Sequence, residues 1–157
     1  MERETLDRLI WDLRLSMLRL AGAILRQPQD IEDAVSSAVV LAYQNLDALR
    51  KDECLKPWLL SITARCCYAQ LRGKKREQPM EITEAMAQTE LLPEWKGTLY
   101  EALQDLPPAI AQTLILHYFE GMSTAQIASV LHLSRTGVSM RLIRGRAMMR
   151  DWLEQNP

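Results

Sequence analysis

Cysteine, glycine and phenylalanine are scarce in this chain of 157 residues, and each scarcity removes a class of structure. The three cysteines are Cys54, Cys66 and Cys67. Their number is odd, two are adjacent, and none stands in a Cys-x-x-Cys or Cys/His spacing, so neither a disulfide framework nor a zinc site is indicated. Buried or indifferent thiols in a reducing compartment are expected instead. Six glycines and seven prolines are too few for a low-complexity chain. No apolar run approaches the roughly 20 residues that span a bilayer. The N-terminus carries Glu2, Asp7, Arg8, Asp12 and Arg14, which is not the pattern of a signal peptide. A soluble, cytoplasmic protein is therefore expected. Period-two alternation is missing throughout, so the expected fold class is all-α. His117 and His132 lie apart without a nucleophile motif, which makes an enzyme the weakest reading. No catalytic residue, cofactor or metal ligand is assigned.

Hydrophobic content of 48% is enough to bury a core in one domain or in two small ones. The formal net charge of −1 conceals a segregation along the chain. Arg72, Lys74, Lys75 and Arg76 form one basic cluster, and Arg135, Arg141, Arg144, Arg146 and Arg150 form another. From Glu77 to Glu94 the ionisable residues are Glu77, Glu81, Glu84, Glu90 and Glu94, without a single Lys or Arg. Such texture suits a partner like DNA held beside another protein.

Helical spacing starts at once. Leu6, Leu9, Ile10, Leu13, Met17, Leu20 and Ile24 predict one amphipathic helix from about Thr5 to Arg26, ended by Pro28. Asp30 is a candidate cap for the next helix, with Glu32 and Asp33 in a first turn that favours acids. Ala34, Val35, Ala38, Val39, Ala42 and Leu46 give that helix its apolar face. Val40, Leu41 and Tyr43 add apolar surface on another side, which fits either a twice-buried helix or a docking surface. Leu49 to Leu55 reads as a charged loop. Pro57 then opens a third helix near its first turn, with Trp58, Leu59, Ile62, Cys66 and Leu71 inward. Its end mixes Arg65, Tyr68, Gln70, Arg72, Lys74 and Lys75, a combination suited to phosphate contact with base stacking, or simply to a helix C-terminus. Gln78 to Pro93 reads as a linker. Helices resume at about Trp95 to Asp105, with Trp95, Leu99, Ala102, Leu103 and Leu106 inward. Pro107-Pro108 starts another, with Ile110, Ala111, Leu114, Ile115 and Tyr118 inward and Gly121 as the closing residue. The chain is therefore expected to form two small helical bundles joined by an acidic linker.

The most informative stretch is Glu120 to Arg150. Ser123 and Ser134 are candidate N-caps of two helices, whose apolar stripes are Ile127, Val130, Leu131 and then Val138, Leu142. His132-Leu133-Ser134 supplies the three-to-four-residue turn of a helix-turn-helix. The turn position that takes a positive φ falls on His132, which tolerates it at some cost. Ala128 falls where the first helix must come close to the second. Gly137 either lets the backbone approach DNA or is a tolerated weakness in the second helix. Acids are absent from Ser134 to Arg150, so this helix can present a cationic face to a major groove. Arg135, Thr136, Ser139 and Arg141 are the candidates for base or backbone contact, and an ordinary hairpin with a basic face is the plainer reading.

In this order the pieces resemble a bacterial RNA polymerase sigma factor of the extracytoplasmic-function group of the sigma-70 family. The resemblance covers about Met17 to Leu153. It rests on Leu106-Pro107-Pro108, Glu120-Gly121-Met122-Ser123, Ile127-Ala128 and Val138 to Arg146, similar to the domain that reads the promoter −35 element. Asp30 to Val35 resembles the start of the polymerase-docking helix, and Lys56-Pro57-Trp58-Leu59 with the basic end at Arg76 resembles the helix that melts and reads the −10 element. The implied layout is an N-terminal domain over residues 1–77, a linker over 78–94 and a helix-turn-helix domain over 95–157. The implied −35 contacts are Ser123, Thr124, Arg135, Thr136, Ser139, Arg141, Arg144 and Arg146. For the −10 element they are Arg50, Lys51, Lys56, Trp58, Arg65, Tyr68, Arg72, Lys74 and Lys75. For polymerase they are Asp30, Glu32, Asp33, Ser36, Ser37, Val40, Leu41 and Tyr43. Ser36 and Ser37 stand where the family commonly has Gln-Glu, and Tyr43 where a Trp is frequent.

The resemblance implies core RNA polymerase and promoter DNA as partners, with an anti-sigma factor as a further candidate. The function expected is promoter-specific initiation. The rival is a sigma-like adaptor, or a helix-turn-helix regulator, that does not itself initiate. A response regulator would need a receiver of alternating strands and helices, which the pattern lacks.

Overall fold

Apolar residues spaced three and four apart along most of the chain favour helices that pack by their stripes. In the computed structural model, which describes residues 2–48, 55–74 and 98–156, every regular element is helical. The elements are α1 (Arg3–Asp12), α2 (Arg14–Ile24), α3 (Pro28–Gln44), a 3₁₀ turn (Leu46–Ala48), α4 (Leu55–Lys74), α5 (Thr98–Asp105), α6 (Pro108–Tyr118), α7 (Thr124–Leu131) and α8 (Arg135–Gln155).

The single first helix expected from the periodicity is two. Leu13 leaves helical geometry at φ −97°, ψ 7°. The bend keeps its hydrogen bonds, since Leu13 N–H reaches the Leu9 carbonyl and Met17 N–H the Leu13 carbonyl, each at 2.9 Å. No proline or glycine accounts for it. The second expectation corrected is the cap of α3. Pro28 occupies the first turn and Gln27 the cap, because a proline at N1 lacks only an N–H that would have no intrahelical partner. Asp30 therefore sits inside the first turn. Leu55 belongs to α4 and is buried, not part of a loop; residues 49–54 and the linker from 75 to 97, Trp95 included, lie outside the described residues.

The two halves are packed against each other. α2 lies against α3 and α4 on one side and against α6 on the other, while α4 also packs on α7. That double contact explains why α2 is buried from Leu20 through Ile24, and why Ile110 to Leu116 of α6 are all buried. Met17, Leu20, Leu59 and Leu60 from the first half share one apolar cluster with Ile115, Leu116 and Ile127 from the second. Two residues expected inside are instead exposed: Leu99 at 41% and Tyr118 at 57%. Helical spacing marks a stripe but not its width, and α5 and α6 each bury only part of theirs.

One glycine lies at a close crossing. A Cβ at Gly145 would stand 2.9 Å from Leu114 Cδ2, so any side chain there would require Leu114 of α6 to shift.

Candidate nucleic-acid and polymerase interfaces

The helix-turn-helix is fixed by its caps. Ser123 Oγ accepts from Gln126 N–H at 3.2 Å while Gln126 Oε1 accepts from Ser123 N–H at 2.9 Å, a reciprocal capping box at the start of α7. Gln126 was a legible part of that signal, three residues after the serine, that the sequence reading left unused. His132 ends α7 at φ 56°, ψ 48°, the positive-φ turn expected of it, and Leu133 N–H returns to the Ala128 carbonyl at 2.9 Å. Ser134 Oγ then accepts from Gly137 N–H at 3.0 Å. A Cβ at Gly137 would meet that same oxygen at 3.2 Å, so the glycine leaves room for the cap. Gly121, at φ 64°, turns the chain from α6 toward α7, and Met122 N–H bonds the Leu116 carbonyl at 3.0 Å. His117 Nδ1 lies 3.2 Å from the Met122 carbonyl and serves the same turn.

On α8 the candidates separate into groups. Arg135, Thr136 and Ser139 are exposed together on its first turns, with Arg144 exposed further along. Ser123 is exposed and Thr124 half-buried at the start of α7. Arg141 is half-buried and turned inward, its Nη1 3.5 Å from the Ala109 carbonyl. Arg146 is held by Tyr118, donating to its hydroxyl at 2.6 Å with the guanidinium 5.8 Å from the ring centre. The exposed set near the helix N-terminus is the one a groove could receive.

The α4 candidates are differently placed. Arg65 and Arg72 are exposed, Trp58 is half-buried against the core, and Lys74 is the last helical residue. Arg50, Lys51 and Lys75 lie outside the described residues. Tyr68 is half-buried and its hydroxyl accepts from Gln112 Nε2 of α6. Burial pushes its pKa up, while the Gln112 bond and the nearby Arg141 act in the opposite sense. Lys56 is turned to the other half as well, with Nζ 3.1 Å from Glu120 Oε2 and 3.1 Å from the Glu120 carbonyl. Behind this face burial raises both thiols, Cys67 up to about 12, so both remain protonated at neutral pH.

The polymerase-side candidates lie along α3. Glu32, Asp33, Ser36 and Ser37 are exposed and Asp30 is half-buried. Val40 is 55% and Leu41 40% exposed, so the added apolar surface of α3 is not a second core face. With Asp30 and Ser37, Leu41 lines a groove of about 440 Å³ whose far wall is Cys66, Ala69, Gln70 and Gly73 of α4. Tyr43 is tied to α1. Its hydroxyl donates to Asp7 of α1, which raises its pKa, and Arg3 sits 5.6 Å over its ring.

Three residues have partners that the sequence does not disclose. Glu120, its side chain only 2% exposed, meets Arg19 at 3.3 Å and Lys56 at 3.1 Å. Gln112 and Arg19 join it in linking the halves. Arg19 and Glu120 are separated by 101 positions, so no local pattern could have paired them.

Comparison with known proteins places this geometry. The chain matches the model of Sigma-70 region 2 over residues 12–77 and that of Sigma-70, region 4 over residues 96–149. It is 30% identical to the "Probable RNA polymerase sigma factor RfaY" of Xanthomonas campestris, over 98% of this chain but 41% of that protein. RNA polymerase sigma factor SigV of Bacillus subtilis is 28% identical, over 90% of this chain and 86% of its own length. The ECF RNA polymerase sigma factor SigM of Mycobacterium tuberculosis is 26% identical, over 94% of this chain and 76% of its own. Among solved structures, the sigma factor RpoE bound to the anti-sigma factor NepR from Bartonella quintana shares the fold at a TM-score of 0.79, with 19% identity over 96% of this chain and 98% of that one. With both regions matched in order on an all-helical fold, the chain belongs to the sigma-70 family, in its extracytoplasmic-function group.

Proposed function

We propose that this chain docks on core RNA polymerase through α3 and directs it to promoters by reading −35 DNA with α8 and −10 DNA with α4. The match to both sigma-70 regions supports reading it as a promoter-specificity factor rather than a catalyst, acting in the cytoplasm beside polymerase and DNA. The division of labour follows the sequence: residues 1–77 for docking and the −10 element, 95–157 for the −35 element. The observation that carries the reading is the start of α8. There Arg135, Thr136 and Ser139 stand exposed beyond a capped turn, as a helix entering a major groove requires. Val40 and Leu41 supply the apolar anchors for docking, beside the acidic start of α3 that suits a basic partner surface. An anti-sigma protein, of the kind that RpoE binds, is the candidate regulator.

Transcription in vitro with purified core polymerase tests this. Promoter-dependent transcripts that appear only when the chain is added are the expected result. Polymerase binding without transcripts would instead make it an adaptor, the reading that the short Ser36 and Ser37 side chains leave standing.

A further inference from the structure

At the joint between the halves, a cavity of about 250 Å³ is lined almost entirely by donors where its walls are polar. Ser61, Arg65 and Tyr68 come to it from α4, Gln112 from α6, His132 from the turn and Arg141 from α8. No Asp or Glu lines it. Two guanidinium groups thus border one small space with no carboxylate among its walls. Like charges disfavour one another in such a place, and an anion between them reverses the balance. The contact that Arg141 makes instead is long, with Nη1 3.5 Å from the Ala109 carbonyl.

Gln112 supplies an independent sign. It is 1% exposed, its Nε2 is engaged by Tyr68, and its Oε1 has no hydrogen-bond partner. A buried amide oxygen left bare is costly, so it marks a place where a donor belongs. Water would bring the donor but not the negative charge. The cavity therefore suits a molecule with several anionic oxygens and one O–H. Hydrogen phosphate has both: oxygens for Arg65 and Arg141, and a P–OH for Gln112 Oε1. Sulfate lacks the O–H at neutral pH, and a phosphate monoester loses it above its second ionisation at about pH 6. Size points the same way, since pockets for larger organic ligands run from about 300 to 1,000 Å³. We propose that this cavity is a binding site for free inorganic phosphate, held by Arg65 and Arg141 and selected by Gln112. The site does not depend on how the chain reads DNA. Its walls come from both halves, so the ligand requires them packed and in turn favours that packing by mass action.

Titration calorimetry on the full chain tests this, with sodium phosphate, sodium sulfate and glycerol phosphate compared at about pH 8 and constant ionic strength. Phosphate should bind once per chain. Sulfate and the ester should bind about tenfold more weakly, the worth of one hydrogen bond to a charged group. Arg65→Gln and Arg141→Gln should each weaken phosphate about tenfold, for the same reason. Gln112→Met should erase the preference for phosphate over sulfate and leave sulfate binding as it was. Arg150→Gln, on α8 but outside the cavity, should change nothing, and circular dichroism checks the helices of every variant. Arg65 is exposed, so its variant keeps the test standing should the buried Gln112→Met fail to fold. Equal affinity for phosphate and sulfate in the wild-type chain would overturn the proposal. So would a response that never saturates, or equal losses from Arg150→Gln and Arg141→Gln, which would reduce the site to a diffuse cationic surface.

Discussion

The first turns of α8 and the middle of α4 use similar residues, arginines beside a small polar or aromatic side chain, yet the fold treats them in opposite ways. On α8, Arg135, Thr136 and Ser139 are exposed and owe their position to a local cap, Ser134 on Gly137. On α4, Tyr68 and Lys56 are engaged by Gln112 and Glu120, residues 44 and 64 positions away. The first surface is built by its own turn and is ready as it stands. The second is built by the whole molecule and is partly covered by it. A local signal thus specifies the recognition helix, whereas the accessibility of α4 is a property of how two halves meet.

The largest expected effect lies on a third surface that should be indifferent to this contrast. Leu41→Glu places a charge on a side chain already 40% exposed, so circular dichroism should show an intact fold. Loss of a buried apolar anchor should weaken polymerase binding by about 2–4 kcal/mol in a pull-down or titration; normal binding would move the interface elsewhere. Next comes the joint. Glu120→Ala leaves two cations without their carboxylate, and thermal denaturation should record a loss of about 2–3 kcal/mol, below the usual figure for a wholly buried pair because Lys56 is 38% exposed. A loss near zero would show that the joint contributes nothing. Arg135→Ala should then cost about 1–3 kcal/mol of duplex affinity and relax specificity, with a steep salt dependence retained by the remaining cations. An effect uniform across sequences would reduce Arg135 to a phosphate contact. The smallest change expected is at the turn. His132→Gly relieves a left-handed conformation worth about 1–2 kcal/mol, less the greater entropy of an unfolded glycine, for a net gain of about 0.5–1 kcal/mol. Destabilisation would mean that the imidazole itself has a partner in the turn.

Much of this was readable in advance because it is local. The caps at Ser123 and Ser134, the positive φ at His132 and the proline starts of α3 and α6 all depend on residues within four positions. Where the reading erred, the cause was burial set from outside the helix. Leu99 and Tyr118 carry the right spacing, yet among the described residues they stay 41% and 57% exposed, and with Leu103, Phe119 and Met149 they border an apolar groove of about 560 Å³. Arg146, a candidate DNA contact, also bonds the Tyr118 hydroxyl of α6, a pairing across 28 positions that no local pattern contains.

The sequence by itself determined the helices, the turn between α7 and α8, and the family, since hydrogen bonds and apolar periodicity within a few residues encode all three. Only the tertiary structure decided that the halves share one core, that Arg19 and Lys56 meet Glu120, and that Gly145 lies close against the Leu114 side chain. Those pairings join positions far apart along the chain. Their energy comes from burial and charge in three dimensions, which no spacing rule along one dimension contains.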